Sequence, residues 1–215
     1  MARKPADQTV SRDEIIMAAA EVLRRNGYEA TTMKDIAAEV NLTAASLYHH
    51  FRNKDALLLA VLEGGIEHVI QQLEPVALEK KPVVEKLKRM IAVHIINLAN
   101  NPAVGAAFVF EIRALMNMRI PPRNGGQFGQ EGMDAFVEKR NNFFAQRDYF
   151  EKLFRDVIQE GIDSGVFRKV DVAIVTKAIL GAHNWVGVWY RPGGRLSGQE
   201  IADIMADTFL RGLAR

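Results

Sequence analysis

The chain has 215 residues, 48% of them hydrophobic, enough for one large or two modest domains around a sizeable core. It contains no cysteine, which excludes disulfides, thiolate nucleophiles and Cys-ligated zinc, and a net charge of +2 singles out no anionic partner. The polar start MARKPADQTVSRDE is expected not to be a signal peptide, and the closest approach to a membrane span, Ala178 to Tyr190, is too short, so the expected compartment is the cytoplasm.

Helix signals dominate, so the expected fold class is all-α. Ser11 with Glu14 forms a capping box, and Ile15, Ala19, Val22 and Leu23 follow at helical spacing until Asn26-Gly27 stops the run. Thr32 can cap a second helix of about two turns, with Met33, Ile36, Ala37 and Val40 on one face and Asp35 near its positive end. Asn41, a residue that tolerates a left-handed backbone, interrupts it, and Thr43 can cap a third short helix through His50. Asn53 caps a long helix with the apolar seam Leu58, Leu62, Ile66, Val69 and Leu73, expected to end at Pro75 and to connect two domains. Further helices are expected over 82–100, 102–117, 133–164, 171–190 and 197–213, the last with the capping box Ser197 and Glu200. The stretch PPRNGGQFGQEG, Pro121 to Gly132, reads as one long loop.

Two short helices joined by a tight turn define helix-turn-helix geometry, in which the second helix enters the DNA major groove. Leu47 and Phe51 would anchor that helix to the core, leaving Ala44, Ala45, Ser46 and His49 more exposed. Tyr48 can donate to a phosphate oxygen, Lys54 can neutralise one, and Thr32 at a helix N-terminus is a third candidate. His49 and His50 point about 100° apart on a helix and do not make a shared metal site. His68, His94 and His183 read as scattered, so no metal and no cofactor are expected. With no nucleophile motif and no glycine loop between strand and helix, an enzyme is not expected either.

At GYEATTMKDIAAEVNLTAASLYHHFRNKDALLLAVL, Gly27 to Leu62, the chain resembles the DNA-binding domain of the TetR family of one-component repressors. The Thr-Thr pair, Ile-Ala-Ala, Leu-Tyr-x-His-Phe and x-Lys-x-x-Leu-Leu carry the likeness. The resemblance implies a homodimer that binds a palindromic operator through residues 1–56 and is released by a small molecule held in a helical domain, residues 57–215. It also implies phosphate contacts at Tyr48, Lys54 and Thr32, and base-facing or groove-facing positions at Thr43, Ala44, Ala45, Ser46 and His49. Asn41 departs from the family's usual Gly but can adopt the same backbone. Charge departs too: residues 1–60 hold eight Lys/Arg and eight Asp/Glu, so DNA binding must rest on how charges are distributed, with the Arg3-Lys4 tail as a candidate minor-groove arm.

In the C-terminal half, the apolar helix 171–190 contains Ala178, Gly181 and Ala182, which admit a close neighbour. With the face Ile201, Ile204, Met205, Thr208 and Leu213 of the last helix it would form a two-fold bundle, the dimer interface of similar families. The aromatic and methionine positions, among them Phe108, Phe110, Met118 and Phe144, are either ordinary core or the wall of an effector cavity. Arg113 and Arg147 either meet an anionic ligand group or are solvated or ion-paired. The tail from FEKLFRDVIQEG onward, with Asn184-Trp185 and Trp189-Tyr190-Arg191-Pro192, is similar to TetR-type regulators of fatty acid, steroid or aromatic acid breakdown that answer to acyl-CoA thioesters. The implied ligand residues are Phe108, Arg113, Phe144, Arg147, Trp185 and Trp189. The alternatives are a repressor answering to an apolar, drug-like ligand, and a helical carrier that binds no DNA.

Overall fold

The computed structural model describes residues 10–117 and 130–215, so the Arg3-Lys4 tail, Met118 and most of the expected 121–132 loop lie outside the described residues. The described residues form ten helices with no strand, and one isolated bridge joins Phe167 to Ala214.

Helix α1, Arg12–Ala30, starts at the expected capping box, with the Ser11 and Glu14 side chains each bonding the other's backbone N–H. Its helical backbone breaks at Gly27, where φ is 74°, and one further turn follows, tied down by the Thr31 N–H and hydroxyl on the Gly27 carbonyl. The φ of Gly27 lies where only glycine is unstrained. Helices α2, Met33–Glu39, and α3, Ala44–His50, are capped by Thr32 and Thr43, as the sequence predicts. Between them Asn41 takes φ 56°, and the bonds Leu42 N to Ala37 O (2.8 Å) and Asn41 N to Ala38 O (3.2 Å) close α2 in a Schellman motif.

Helix α4, Lys54–Leu78, runs three residues past the expected stop at Pro75. The proline costs one backbone bond, but Leu73, Val76 and Ala77 around it are buried, and that packing holds the last turn. By length and composition α4, rather than 178–190, comes closest to a membrane span. Its apolar side chains are committed elsewhere, since Leu57 to Leu62, Ile66 and Leu73 are buried in the core.

Helix α5, Val83–Asn100, meets α6, Pro102–Phe110, at a bend of 100°. The single helix expected over 102–117 is in fact two, α6 and α7, Ile112–Asn117, separated at Glu111. Glu111 terminates α6, its N–H on the Ala107 carbonyl, while its buried side chain turns toward α1. Helices α8, Gln130–Asp163, α9, Val172–Trp189, and α10, Gly198–Leu213, complete the chain, with α8 beginning three residues before its expected start. Helix α5 is central, packed on α4, α8, α9 and α10, while α6 lies between α1 and α9. At that last crossing a Cβ on Gly187 would lie 3.0 Å from the Gly105 Cα, so the α6–α9 separation depends on both glycines.

Candidate functional site

The helix-turn-helix unit is held from beneath by Leu47 and Phe51, both buried, against the core of α1, α2 and α4. That leaves Ala45, Tyr48 and His49 exposed on α3 and Ala44 and Ser46 half-buried at its start. The Thr43 hydroxyl accepts the Ser46 N–H and lies 2.9 Å from the Ser46 hydroxyl, which fixes both small polar groups at the N-terminal end of α3. Thr32 is exposed, and its hydroxyl donates to Asp35 at 2.7 Å. The charge balance of this end is partly internal: Glu21 pairs with Arg24, and Glu39 with Arg25, while Lys34 and Arg52 are exposed. Arg12 lies over the Phe51 ring at 4.8 Å.

Lys54 is not a free side chain. Its ammonium donates to the Tyr28 carbonyl at 2.6 Å and to that of Glu29 at 3.4 Å, and sits 4.1 Å from the centre of the Tyr28 ring. An ammonium has three donors, so one remains for a phosphate. The Tyr28 hydroxyl donates to Asp55, and burial together with that carboxylate pushes the phenol's pKa up. The N–H of the same tyrosine donates to the Glu111 carboxylate at 3.1 Å. Burial raises the Glu111 pKa, a rise partly opposed by that N–H.

Above this unit lies a cavity of about 570 Å³. Asp13, Ile16 and Met17 of α1 form one wall, and Val61, Gly64, Gly65 and Val69 of α4 another. Gly65 permits the close approach of α6, because a Cβ there would meet Val104 and Phe108 at 2.6 and 2.8 Å. Phe108 and Phe150 supply aromatic surface, and His94 and Asn97 of α5 and Asn101 between α5 and α6 add polar groups. The exposed edge carries two cations, Arg147 and Lys177, with Lys177 bonded to Glu151 at 2.9 Å.

Of the six residues singled out for a ligand, Phe108 and Arg147 therefore line the cavity and the other four do not. Arg113 is exposed on α7, and Phe144 packs edge-on against the buried Phe143 at 5.2 Å. Trp185 and Trp189 are 52% and 46% exposed on the outer face of α9. With Ile174, Ala178 and Gly181 they make an uncovered apolar stripe, extended by Phe110 against Trp185 at 6.2 Å. Helix α10 divides its expected face: Ile201 and Leu213 are buried, whereas Ile204 and Thr208 are exposed.

His94 and His183, which the sequence left scattered, come together in the core with their Nδ1 atoms 3.2 Å apart. The cue for the α5 wall was present, since His94 and Asn97, three apart, are the only polar residues of the otherwise apolar run 90–99 of α5. The contribution of α1 to the cavity had no sequence signal. Among the described residues no three or more His, Cys, Asp or Glu side chains gather as a metal site.

A helix-turn-helix with small residues at the start of its second helix, set beside a cavity in an all-helical body, defines a ligand-responsive DNA-binding regulator. Residues 15–61 match the family described as bacterial regulatory proteins, tetR family, and residues 131–213 match the tetracyclin repressor-like C-terminal domain. The chain belongs to the TetR family of transcriptional regulators and is not an enzyme. It is 29% identical over 213 residues to the HTH-type transcriptional repressor KstR2 of Mycolicibacterium smegmatis, across 98% of this chain and 94% of that one. The crystal structure of the TetR family regulator PfmR from Thermus thermophilus superposes with a TM-score of 0.77 at 28% identity, covering 97% of this chain and 100% of the other. AibR in complex with isovaleryl coenzyme A and operator DNA shares the fold, with a TM-score of 0.72 at 24% identity over 92% of this chain and 96% of the other.

Proposed function

We propose that the chain is a homodimeric repressor, acting in the cytoplasm, that leaves its operator when an acyl-CoA thioester enters the cavity. Residues 1–56 are the DNA-binding domain and residues 57–215 the ligand-binding and dimerisation domain. Tyr48, Lys54 and Thr32 contact phosphates, and Thr43, Ala44, Ala45, Ser46 and His49 face the groove. The uncovered stripe of α9, with Ile204 and Thr208 of α10, is the surface that joins two copies.

The observation that carries this reading is the cavity's position, because its wall includes α1, the helix on which the helix-turn-helix is built. An acyl chain suits the apolar lining, and Arg147 and Lys177 at the open edge suit the phosphates of coenzyme A. The isovaleryl coenzyme A held by AibR supports the same class. Transmission follows the bonds around Tyr28. Filling the cavity displaces Phe108 on α6, three residues before Glu111, and Glu111 holds the Tyr28 N–H while Lys54 holds the Tyr28 carbonyl. A shift of α6 is thereby felt at the end of α4 where Lys54 meets DNA.

The test is fluorescence anisotropy on the DNA upstream of the chain's own gene, with a panel of CoA thioesters from short branched to long straight chains. Saturable binding that one thioester class reverses is the expected result. Release only by apolar drug-like compounds would replace the effector class, and operator binding that no thioester reverses would remove the acyl-CoA reading.

A further inference from the structure

The inner polar feature of the cavity has no part in the mechanism above. His94 is 5% exposed and lines the cavity from α5, and its Nδ1 is 3.2 Å from Nδ1 of the fully buried His183 on α9. Burial holds both rings neutral: desolvation lowers the pKa of His94 to about 3 and that of His183 well below its ordinary value, with the neighbouring His94 adding to the latter. Two neutral rings that meet at Nδ1 share one hydrogen there. One ring is then the Nδ1–H tautomer, and the other accepts and carries its hydrogen on Nε2.

Which ring is which follows from the far side of His183, whose Nε2 is buried with no hydrogen-bond partner. A hydrogen on that atom would bury an orphaned donor, whereas a lone pair there leaves an unused acceptor, the better tolerated of the two. His183 therefore keeps its hydrogen on Nδ1 and donates it to His94, and His94 carries an Nε2–H. The aromatic rings of Phe150 and Phe154, 5.0 and 6.3 Å from His94, and of Phe209, 5.9 Å from His183, fix the two imidazoles. Further along α5 the Asn97 amide N–H groups are committed to Gln72 and the Val93 carbonyl, so Asn97 does not compete as a donor.

We infer that His94 determines ligand specificity by donating its Nε2–H to a carbonyl oxygen in the buried part of the effector, which selects carbonyl-bearing ligands over plain hydrocarbon. The inference rests on the cavity being the effector site. The carbonyl can belong to the thioester itself or to a ketone on the acyl group.

Long-range proton–nitrogen correlation on 15N-labelled, ligand-free protein reads the tautomers directly. His94 is expected as Nε2–H and His183 as Nδ1–H, and the reverse pair overturns the inference. Three probes then separate the sources: a saturated medium-chain acyl-CoA, an oxoacyl-CoA of equal length, and the corresponding neutral alkyl ketone. If the chain ketone is read, the oxoacyl-CoA binds roughly 2- to 10-fold tighter than its saturated counterpart, and His94→Phe removes that ratio. If the thioester carbonyl is read, both thioesters bind alike and both weaken by a similar factor in the variant. Unchanged affinities in a folded His94→Phe protein overturn the inference. Should that variant fail to fold, the shift of the His94 Hε2 resonance in the wild type on adding each probe decides, and no shift with any probe overturns it. Binding of the neutral ketone alone, dependent on His94, retains the donor and removes only the acyl-CoA reading.

Discussion

The Tyr28 N–H on α1 and the Glu111 carboxylate between α6 and α7 meet at 3.1 Å across 83 residues of sequence. Glu111→Leu leaves that N–H without its acceptor and is expected to cost about 1–3 kcal/mol in urea unfolding. Glu111→Gln keeps an acceptor oxygen and should cost less than about 1 kcal/mol. Both should bind operator in the absence of effector, with the leucine variant losing most of its response to effector in anisotropy. A leucine variant that responds like the wild type would take Tyr28 out of the transmission route.

At the DNA end, the proposed roles separate by what they change. Tyr48→Phe should weaken binding to every sequence by a similar factor, roughly 2- to 10-fold for one lost hydrogen bond. Lys54→Met should in addition reduce the slope of log K against log salt by about one. Ser46→Ala or His49→Ala should instead shift the ranking among operator variants. Parallel titrations on operator and unrelated DNA at several salt concentrations distinguish these outcomes.

The two buried imidazoles give the protein an acid sensitivity. Their folded pKa values lie below the unfolded value of about 6.5, so the unfolded chain binds more protons and stability rises with pH. Their contribution is complete above about pH 6.5 and is lost as pH falls toward about 3 for His94, by at most about 1.4 kcal/mol per pH unit for each ring. Urea midpoints measured from about pH 7 to 4 should show this slope, and it should be shallower in a double His94→Phe, His183→Phe variant, in which the hydrogen-bonded carboxylates such as Glu14 and Glu200 still titrate.

Trp185→Glu on α9 places a charge in the middle of the uncovered apolar stripe. Sedimentation should show a shift from dimer to monomer, with the dimer weakened by roughly 2–4 kcal/mol, and operator affinity should fall with it. Thermal unfolding of the isolated monomer should change little, because Trp185 is already half-exposed within one chain. A dimer of unchanged strength would place the interface on another face.

Much of the architecture was legible because caps and periodicity are local. Ser11, Thr32, Thr43, Asn53 and Ser197 all cap where the sequence places them, and Asn41 takes the left-handed backbone its side chain permits. Errors arose where a distant contact overrode the local signal. Buried neighbours carry α4 past Pro75, and the side chain of Glu111 turns toward α1 at the point where an unbroken helix was expected. The same cause hides from the sequence which of the ligand candidates face the cavity. Trp185 and Trp189 share the periodicity of α9 with His183, but whether a side chain faces a cavity, the core or solvent depends on helices brought up from elsewhere in the chain. Tyr28 was silent for that reason too, since the hydrogen bonds that join it to Glu111 and Lys54 are made by its backbone N–H and carbonyl, with the ring adding only a contact to the Lys54 ammonium.

With the cavity as the effector site, as proposed, the coupling through α1 also runs in the opposite direction. Whatever factor an effector takes from operator affinity, the operator must take from effector affinity, since both changes close the same thermodynamic cycle. DNA is then an antagonist at the cavity, and a protomer seated on its operator reports a higher threshold concentration than one free in solution.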